Sequence, residues 1–233
     1  GMVMVQNTQA TIRTYSTRTA ADYKGRILEE SIEGMLLDID GREVSVRFVG
    51  RFNVSNLLAV YGAALMLGKT QDETLRVLSG LHPVNGRFEA IRSPKGFSAV
   101  VDYAHTPDAL ENVLRTLGEL LTGGGQLIAV CGCGGDRDRT KRPQMGKIAA
   151  ALSDVAVVTS DNPRSEEPSA IIDEILVGMK RTKTPTRVIE NRIEAIKWAV
   201  ANAKPGDTVL LAGKGHETYQ VVGAETLPLD ERQ

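Results

Sequence analysis

The chain has 233 residues, of which 42% are hydrophobic and 24% charged, ordinary proportions for one large globular domain or two small ones. A formal net charge of -1 offers no whole-chain field for nucleic acid or an anionic membrane. Two cysteines, Cys131 and Cys133, are too few for a disulfide framework or a closed zinc site.

The apolar runs are strand-sized, so no bilayer-spanning segment is expected. No charged-then-apolar signal segment opens the chain, which makes a cytoplasmic location the expectation. Gly1-Met2 reads either as a cloning scar or as a mid-chain start. In chain order, "MLLDIDGREVSVRFV" (35–49) gives two strands around Asp40-Gly41, a strong hairpin signal. "NVSNLLAVYGAALMLG" (53–68) is a helix stopped by Gly68, and Thr70 with Glu73 forms a capping box for a short helix through Leu78. "HPVNGRFE" (82–89) has the turn residues of a linker, placing a domain boundary near Gly86. A hairpin and two helices bury little surface, so residues 1–86 read as the tail of a larger unit.

From Phe97 onward, strands and helices alternate. "FSAVVD" (97–102) precedes a helix with Thr106 as N-cap, Pro107 in the first turn, and Leu110, Val113, Leu114, Leu117 and Leu121 on one face. "GGG" (123–125) ends it, and "QLIAVC" (126–131) is the next strand. A helix near 143–152, the strand "DVAVVTS" (154–160) and a helix over 168–180 follow, the last with Ile171, Ile172, Ile175 and Met179 inward. "TRVIE", "RIEAIKWAVANA" and "DTVLLA" complete the series, and "TYQVV" (218–222) reads as a further strand. The fold class is α/β: a mainly parallel sheet covered by helices on both faces.

Ligands of such sheets bind outside the carboxyl ends of the strands. Four polar motifs fall there: "DYAHTP" (102–107), "GCGGDRDRTKRP" (132–143), "SDNPR" (160–164) and "GKGHE" (213–217). The opposite loops, "LTGGGQ" and "AKPGD", carry only turn chemistry. Taken singly, each motif has a plainer reading. Asp102 and His105 are also helix-capping types, the charged run is also a solvated loop, and His216 is a lone histidine in a glycine turn. Together they outline a rim of both charge signs, suited to an amino acid or a phosphorylated substrate. No GxxxxGK[ST] phosphate loop occurs anywhere.

The stretches "GRFNVSNLLA", "GRFE", "VVDYAHTPDALE", "GCGGDRDRTKRPQMG", "SDNPRSEEP" and "AGKGHETYQ" together resemble the Mur ligases of peptidoglycan synthesis. Within that family the resemblance is to the branch that adds meso-diaminopimelate to UDP-N-acetylmuramoyl-L-Ala-D-Glu. It implies that residues 1–86 are a partial α/β remnant of a central ATPase domain, and that 87–233 form a Rossmann-like amino-acid-binding domain. It further implies an ATP- and Mg2+-dependent amide-forming ligase working through an acyl phosphate, with ATP and the ion held mainly by parts that have no counterpart here. A chain without those parts is expected to be inactive alone.

The resemblance assigns Asn53, Asn56, Arg87, Asp102 and His105 to the nucleotide side, with Arg87 and Asp102 nearest the chemistry. It assigns Arg137, Asp161, Asn162, Pro163, Arg164, Gly213 and Glu217 to the amino acid. On this reading Arg164 pairs with the far carboxylate of diaminopimelate, while Asn162, the Gly213 carbonyl and Glu217 receive its ammonium, and Arg137 holds the other carboxylate. The rival readings are a lysine-adding or cyanophycin-synthetase-like ligase, and a non-catalytic amino-acid-binding module. Arg164 is the residue that separates diaminopimelate from lysine.

Overall fold

The computed structural model describes residues 2–121 and 123–233; Gly1, and with it the reading of the first dipeptide, lies outside the described residues, as does Thr122. The chain divides into two compact units, Gly1–His82 and Pro83–Gln233.

The first unit carries a sheet in the order β1 (Tyr15–Ser16), β2 (Tyr23–Ser31), β3 (Gly34–Ile39) and β4 (Arg42–Val46). Between β3 and β4, Asp40 and Gly41 take φ of 47° and 80°, as a two-residue hairpin turn with both central residues left-handed requires. Two helices, α1 (Arg51–Met66) and α2 (Gln71–Gly80), supply the rest. The Thr70 hydroxyl accepts from Glu73 N at 3.2 Å and the Glu73 carboxylate accepts from Thr70 N at 3.1 Å, so the capping box forms. Leu37, Ile39, Val44 and Val46 meet Val54, Leu58, Tyr61 and Leu78 in one apolar core.

Strand β2 had no counterpart in the sequence reading. Its residues Lys24, Arg26, Glu29 and Glu30 are of types that strands disfavour, and its most buried position is Gly25. That glycine is there for packing, since a Cβ on it would stand 3.1 Å from the Leu58 side chain.

The second unit is built on a six-stranded sheet in the order β5-β6-β10-β7-β8-β9. The strands are β5 (Glu89–Arg92), β6 (Ser98–Asp102), β7 (Leu127–Cys131), β8 (Val155–Val158), β9 (Thr186–Val188) and β10 (Thr208–Ala212). All neighbouring pairs are parallel except β5 with β6. Helices α3 (Pro107–Leu120), α4 (Lys141–Leu152) and α5 (Pro168–Val177) pack side by side. The chain then reverses direction across the sheet through α6 (Arg192–Asn202), whose Ala195 and Ala199 lie on Val101, Val130, Val157 and Leu211. Crossovers between parallel strands are right-handed almost without exception, so a reversal of this kind puts helices on both faces of a sheet. A small hairpin of β11 (Tyr219–Val222) and β12 (Glu225–Pro228) closes the chain.

Thr106 caps α3 by accepting from Ala109 N at 3.3 Å, with Pro107 in the first turn. The second unit begins four residues before the boundary read from the sequence. Gly86 packs within it, leaving no room for a Cβ against the backbone of Gly215 and His216. Among the described residues no helix is long and apolar enough to cross a membrane.

Candidate functional site

Four loops leave the carboxyl ends of β6, β7, β8 and β10, and the register of the parallel sheet brings those ends to one edge. After β6, Asp102 is buried and its carboxylate accepts from Phe88 N at 2.7 Å. Burial pushes its pKa up, against the downward pull of the Phe88 and Ala104 N–H groups and of Arg87. Phe88 has a φ of 49°, so Asp102 fixes a left-handed backbone position next to Arg87. The Arg87 guanidinium lies 4.6 Å from the centre of the Tyr103 ring. The same ring touches His105 (4.5 Å) and His216 (5.0 Å), and the Tyr103 hydroxyl reaches Glu217 at 3.5 Å.

The loop after β7 lies flat against the loop after β8. Gly135 makes this possible, because a Cβ there would overlap the Pro163 carbonyl, and Gly135 N donates to Asn162 O at 2.9 Å. Across this seam Asp136, at φ 54°, accepts from the Ser165 hydroxyl at 2.7 Å, and Glu166 accepts from Asp136 N at 2.6 Å. Behind it the fully buried Arg142 holds Glu166, Glu174 and the Gly134 carbonyl. Its guanidinium, with Asp136 N, lowers the Glu166 pKa from 4.5 to about 2. Arg137 stands exposed on this loop, donating to the Asp136 carbonyl at 3.2 Å.

Ser160, Asp161 and Asn162 are buried where β8 ends. Arg164 follows at φ 52°. Its N donates to Val221 O (3.1 Å) and its carbonyl accepts from Gly223 N (2.7 Å), so the closing hairpin holds it in that strained conformation. Arg164 Nη1 donates to Gly135 O at 2.8 Å and more weakly to Asn162 O at 3.4 Å. Among the described contacts the Nε–Nη2 edge, the one suited to a bidentate carboxylate, makes none.

After β10, Gly213 has a φ of 119°, and a Cβ on it would sit 2.6 Å from Asp161 Oδ2. Lys214 is fully buried beside it, and Glu217 receives the Asn162 amide at 2.9 Å.

Of the residues expected at a site, Arg87, Asp102, His105, Arg137, Asp161, Asn162, Pro163, Arg164, Gly213 and Glu217 thus stand on the loops at one sheet edge. Asn53 and Asn56 are in the first unit, one turn apart on α1, where Asn56 Nδ2 donates to Asn53 Oδ1 at 3.2 Å and Asn53 Nδ2 to Val49 O at 2.7 Å. Sequence reasoning missed Tyr103, Lys214 and Arg142. Each stands inside a quoted motif, but lysine and arginine are read as exposed by default, and only the fold shows these two buried.

The edge presents guanidinium groups from Arg87, Arg137 and Arg164 together with carboxylates from Asp161 and Glu217, a set that matches a molecule with both charge signs. No three metal-ligating side chains converge among the described residues. With no GxxxxGK[ST] stretch either, these residues do not form a cradle for nucleotide phosphates and a divalent ion, whereas the face of Tyr103 and its neighbours suits a flat ring.

Residues 86–215 match the family described as Mur ligase, glutamate ligase domain. A relative in Parabacteroides distasonis, named UDP-N-acetylmuramoyl-L-alanyl-D-glutamate–2,6-diaminopimelate ligase, is 56% identical over 100% of this chain and 48% of its own length. A protein of the same name in Phocaeicola vulgatus is 53% identical with the same coverage. A solved structure of a ligase with that name superposes with a TM-score of 0.65 at 38% identity, over 98% of this chain and 48% of the other. The chain therefore spans about half the length of the relatives it matches. On the matched domain and these identities, the chain belongs to the Mur ligase family.

Proposed function

We propose that this chain is the amino-acid-binding part of an ATP-dependent ligase that joins meso-diaminopimelate to UDP-N-acetylmuramoyl-L-Ala-D-Glu. The observation that carries this reading is Arg164, a guanidinium held at φ 52° by a hairpin, with one edge on the Gly135 carbonyl. A side chain fixed at such cost in backbone strain serves a recognition task better than a surface charge does. The names of the relatives support the same substrate pair.

Diaminopimelate carries an ammonium and a carboxylate at its far end; lysine carries the ammonium alone. Arg164 pairs with that carboxylate, and Asn162, the Gly213 carbonyl and Glu217 take the ammonium. Arg137 takes the carboxylate at the reacting end, leaving the near amine directed at the acceptor. The Arg87–Tyr103–His105 cluster is assigned to the nucleotide, a role that the resemblance alone gives to Asn53 and Asn56.

In such a ligase the nucleotide supplies the phosphoryl group that activates the acceptor carboxylate. This chain's own contribution is orientation: it converts a free amine into one held at a fixed angle and distance, with its charged tail neutralised. Residues outside this chain are assigned the phosphates and the divalent ion, and the chain alone is assigned no turnover.

Calorimetric titration tests the reading. The chain is expected to bind meso-diaminopimelate measurably and L-lysine far more weakly, and Arg164→Ala is expected to remove the difference. Equal affinity of the unaltered chain for both amino acids would contradict it.

A further inference from the structure

Lys214 is one of the largest fully buried side chains in the molecule, and no role is assigned to it above. Its Nζ donates to Asn162 Oδ1 at 2.8 Å and to the Tyr219 carbonyl at 2.7 Å. It lies 3.4 Å from Glu217 Oε2 and 3.5 Å from Asp161 Oδ1. An ammonium has three N–H groups. Two are directed to neutral oxygens, and the third falls between two carboxylates.

Asn162 is held at both ends of its amide. Its Oδ1 accepts from Lys214 Nζ and from Val221 N (2.9 Å), and its Nδ2 donates to Glu217 Oε2 at 2.9 Å. Turning the amide over would set its NH2 against the Lys214 ammonium and its oxygen against the Glu217 carboxylate. Lys214 therefore dictates which way Asn162 points, and Asn162 in turn places Glu217. With both lone pairs of Oδ1 occupied, Asn162 has no acceptor left for a ligand's ammonium.

Charge gives the same result. Lys214, Asp161 and Glu217 sum to one negative charge. The neighbouring Arg192, which also faces Asp161, is matched by the buried Glu231. The cluster is short of neutrality by one cation.

From this we infer that Lys214 is a positioning residue for the far-ammonium subsite, a resident cation that fixes Asn162 and Glu217 and leaves the charge of one incoming ammonium unfilled. The inference rests on the amino-acid reading of the site and refines it: Asp161 and Glu217 receive the ligand's ammonium, while Asn162 holds Glu217 in place. Neither Lys214 nor Asn162 is a catalytic residue in this account.

The test uses two ligands, meso-diaminopimelate and 2-aminopimelate, which keeps both carboxylates and lacks one ammonium. The unaltered chain is expected to prefer the first. In Lys214→Met, with folding checked by circular dichroism, Asn162 is free to turn and no longer aims Glu217, so despite the added negative charge that preference is expected to fall by about tenfold or more, the size of a lost charge-assisted hydrogen bond. A purely structural loss would weaken both ligands in proportion and leave the ratio unchanged, and that result overturns the inference. If Lys214→Met does not fold, Lys214→Gln decides in the same way, since it removes the charge and one N–H while keeping two donors. An unaltered chain that binds neither compound overturns the underlying reading of the site instead.

Discussion

The two ends of the six-stranded sheet both use carboxylates, in different ways. At the amino ends Asp207 accepts from Gln126 N and Lys204 N, each at 2.8 Å, and Asp154 accepts from Leu127 N at 2.8 Å. At the carboxyl ends Asp161 and Glu217 are matched by the side chains of Lys214 and Asn162. A carboxylate satisfied by backbone amides is fixed architecture, because those donors have no alternative partner. A carboxylate satisfied by a side-chain cation and an amide belongs to a network that a ligand can join. Asp102 stands between the two cases: it sits at the functional edge yet accepts from Phe88 N, so it shapes the chain that carries Arg87.

This contrast is sharpest in the expected responses to substitution. The largest effect belongs to Arg164→Ala. A site that leaves a buried polar group unpaired discriminates by roughly 10⁴-fold, so removing the guanidinium should erase up to that much of the preference for diaminopimelate over lysine, read by competitive titration. Fold stability should stay close to that of the unaltered chain.

The reverse pattern is expected for Asp207→Ala. Leaving the Gln126 and Lys204 N–H groups without their acceptor should cost about 1–3 kcal/mol in denaturant unfolding. Diaminopimelate affinity should not change. A substitution at Asp207 that altered ligand preference would break the distinction between the two ends.

The smallest effect concerns Glu166, whose carboxylate ties the two substrate-facing loops together. Its pKa falls from 4.5 to about 2 in the folded chain, chiefly through Arg142. A depressed carboxylate contributes stability above its unfolded value and loses it as pH falls through the folded one. Thermal midpoints measured between pH 5 and pH 2 should therefore drop, and Glu166→Gln should flatten that part of the curve. An unchanged slope in the variant would show that the seam does not depend on this ion pair.

Local chemistry made much of the fold legible before any coordinates. Thr106 with Pro107, Thr70 with Glu73 and Asp40-Gly41 each act through neighbours within a few residues, and each forms as expected. The five residues of β7 and of β10, apolar but for Thr208, are buried throughout, as parallel strands require. What escaped notice depends on distant partners. Strand β2 carries charges on its exposed face, and β5 and β12 are short and mostly exposed edge segments. The motifs of the candidate site were visible as a list of loops at strand ends. Their internal wiring was not, because the burial of Lys214 depends on Asp161, Asn162 and Tyr219, which only the closed sheet and its final hairpin bring together.

The most direct measurement is a crystal structure of the chain with meso-diaminopimelate bound. The account predicts the far carboxylate on the Arg164 guanidinium in a paired contact of about 2.7–2.9 Å. It would be contradicted by an Arg164 still confined to the Gly135 carbonyl while other side chains hold that carboxylate.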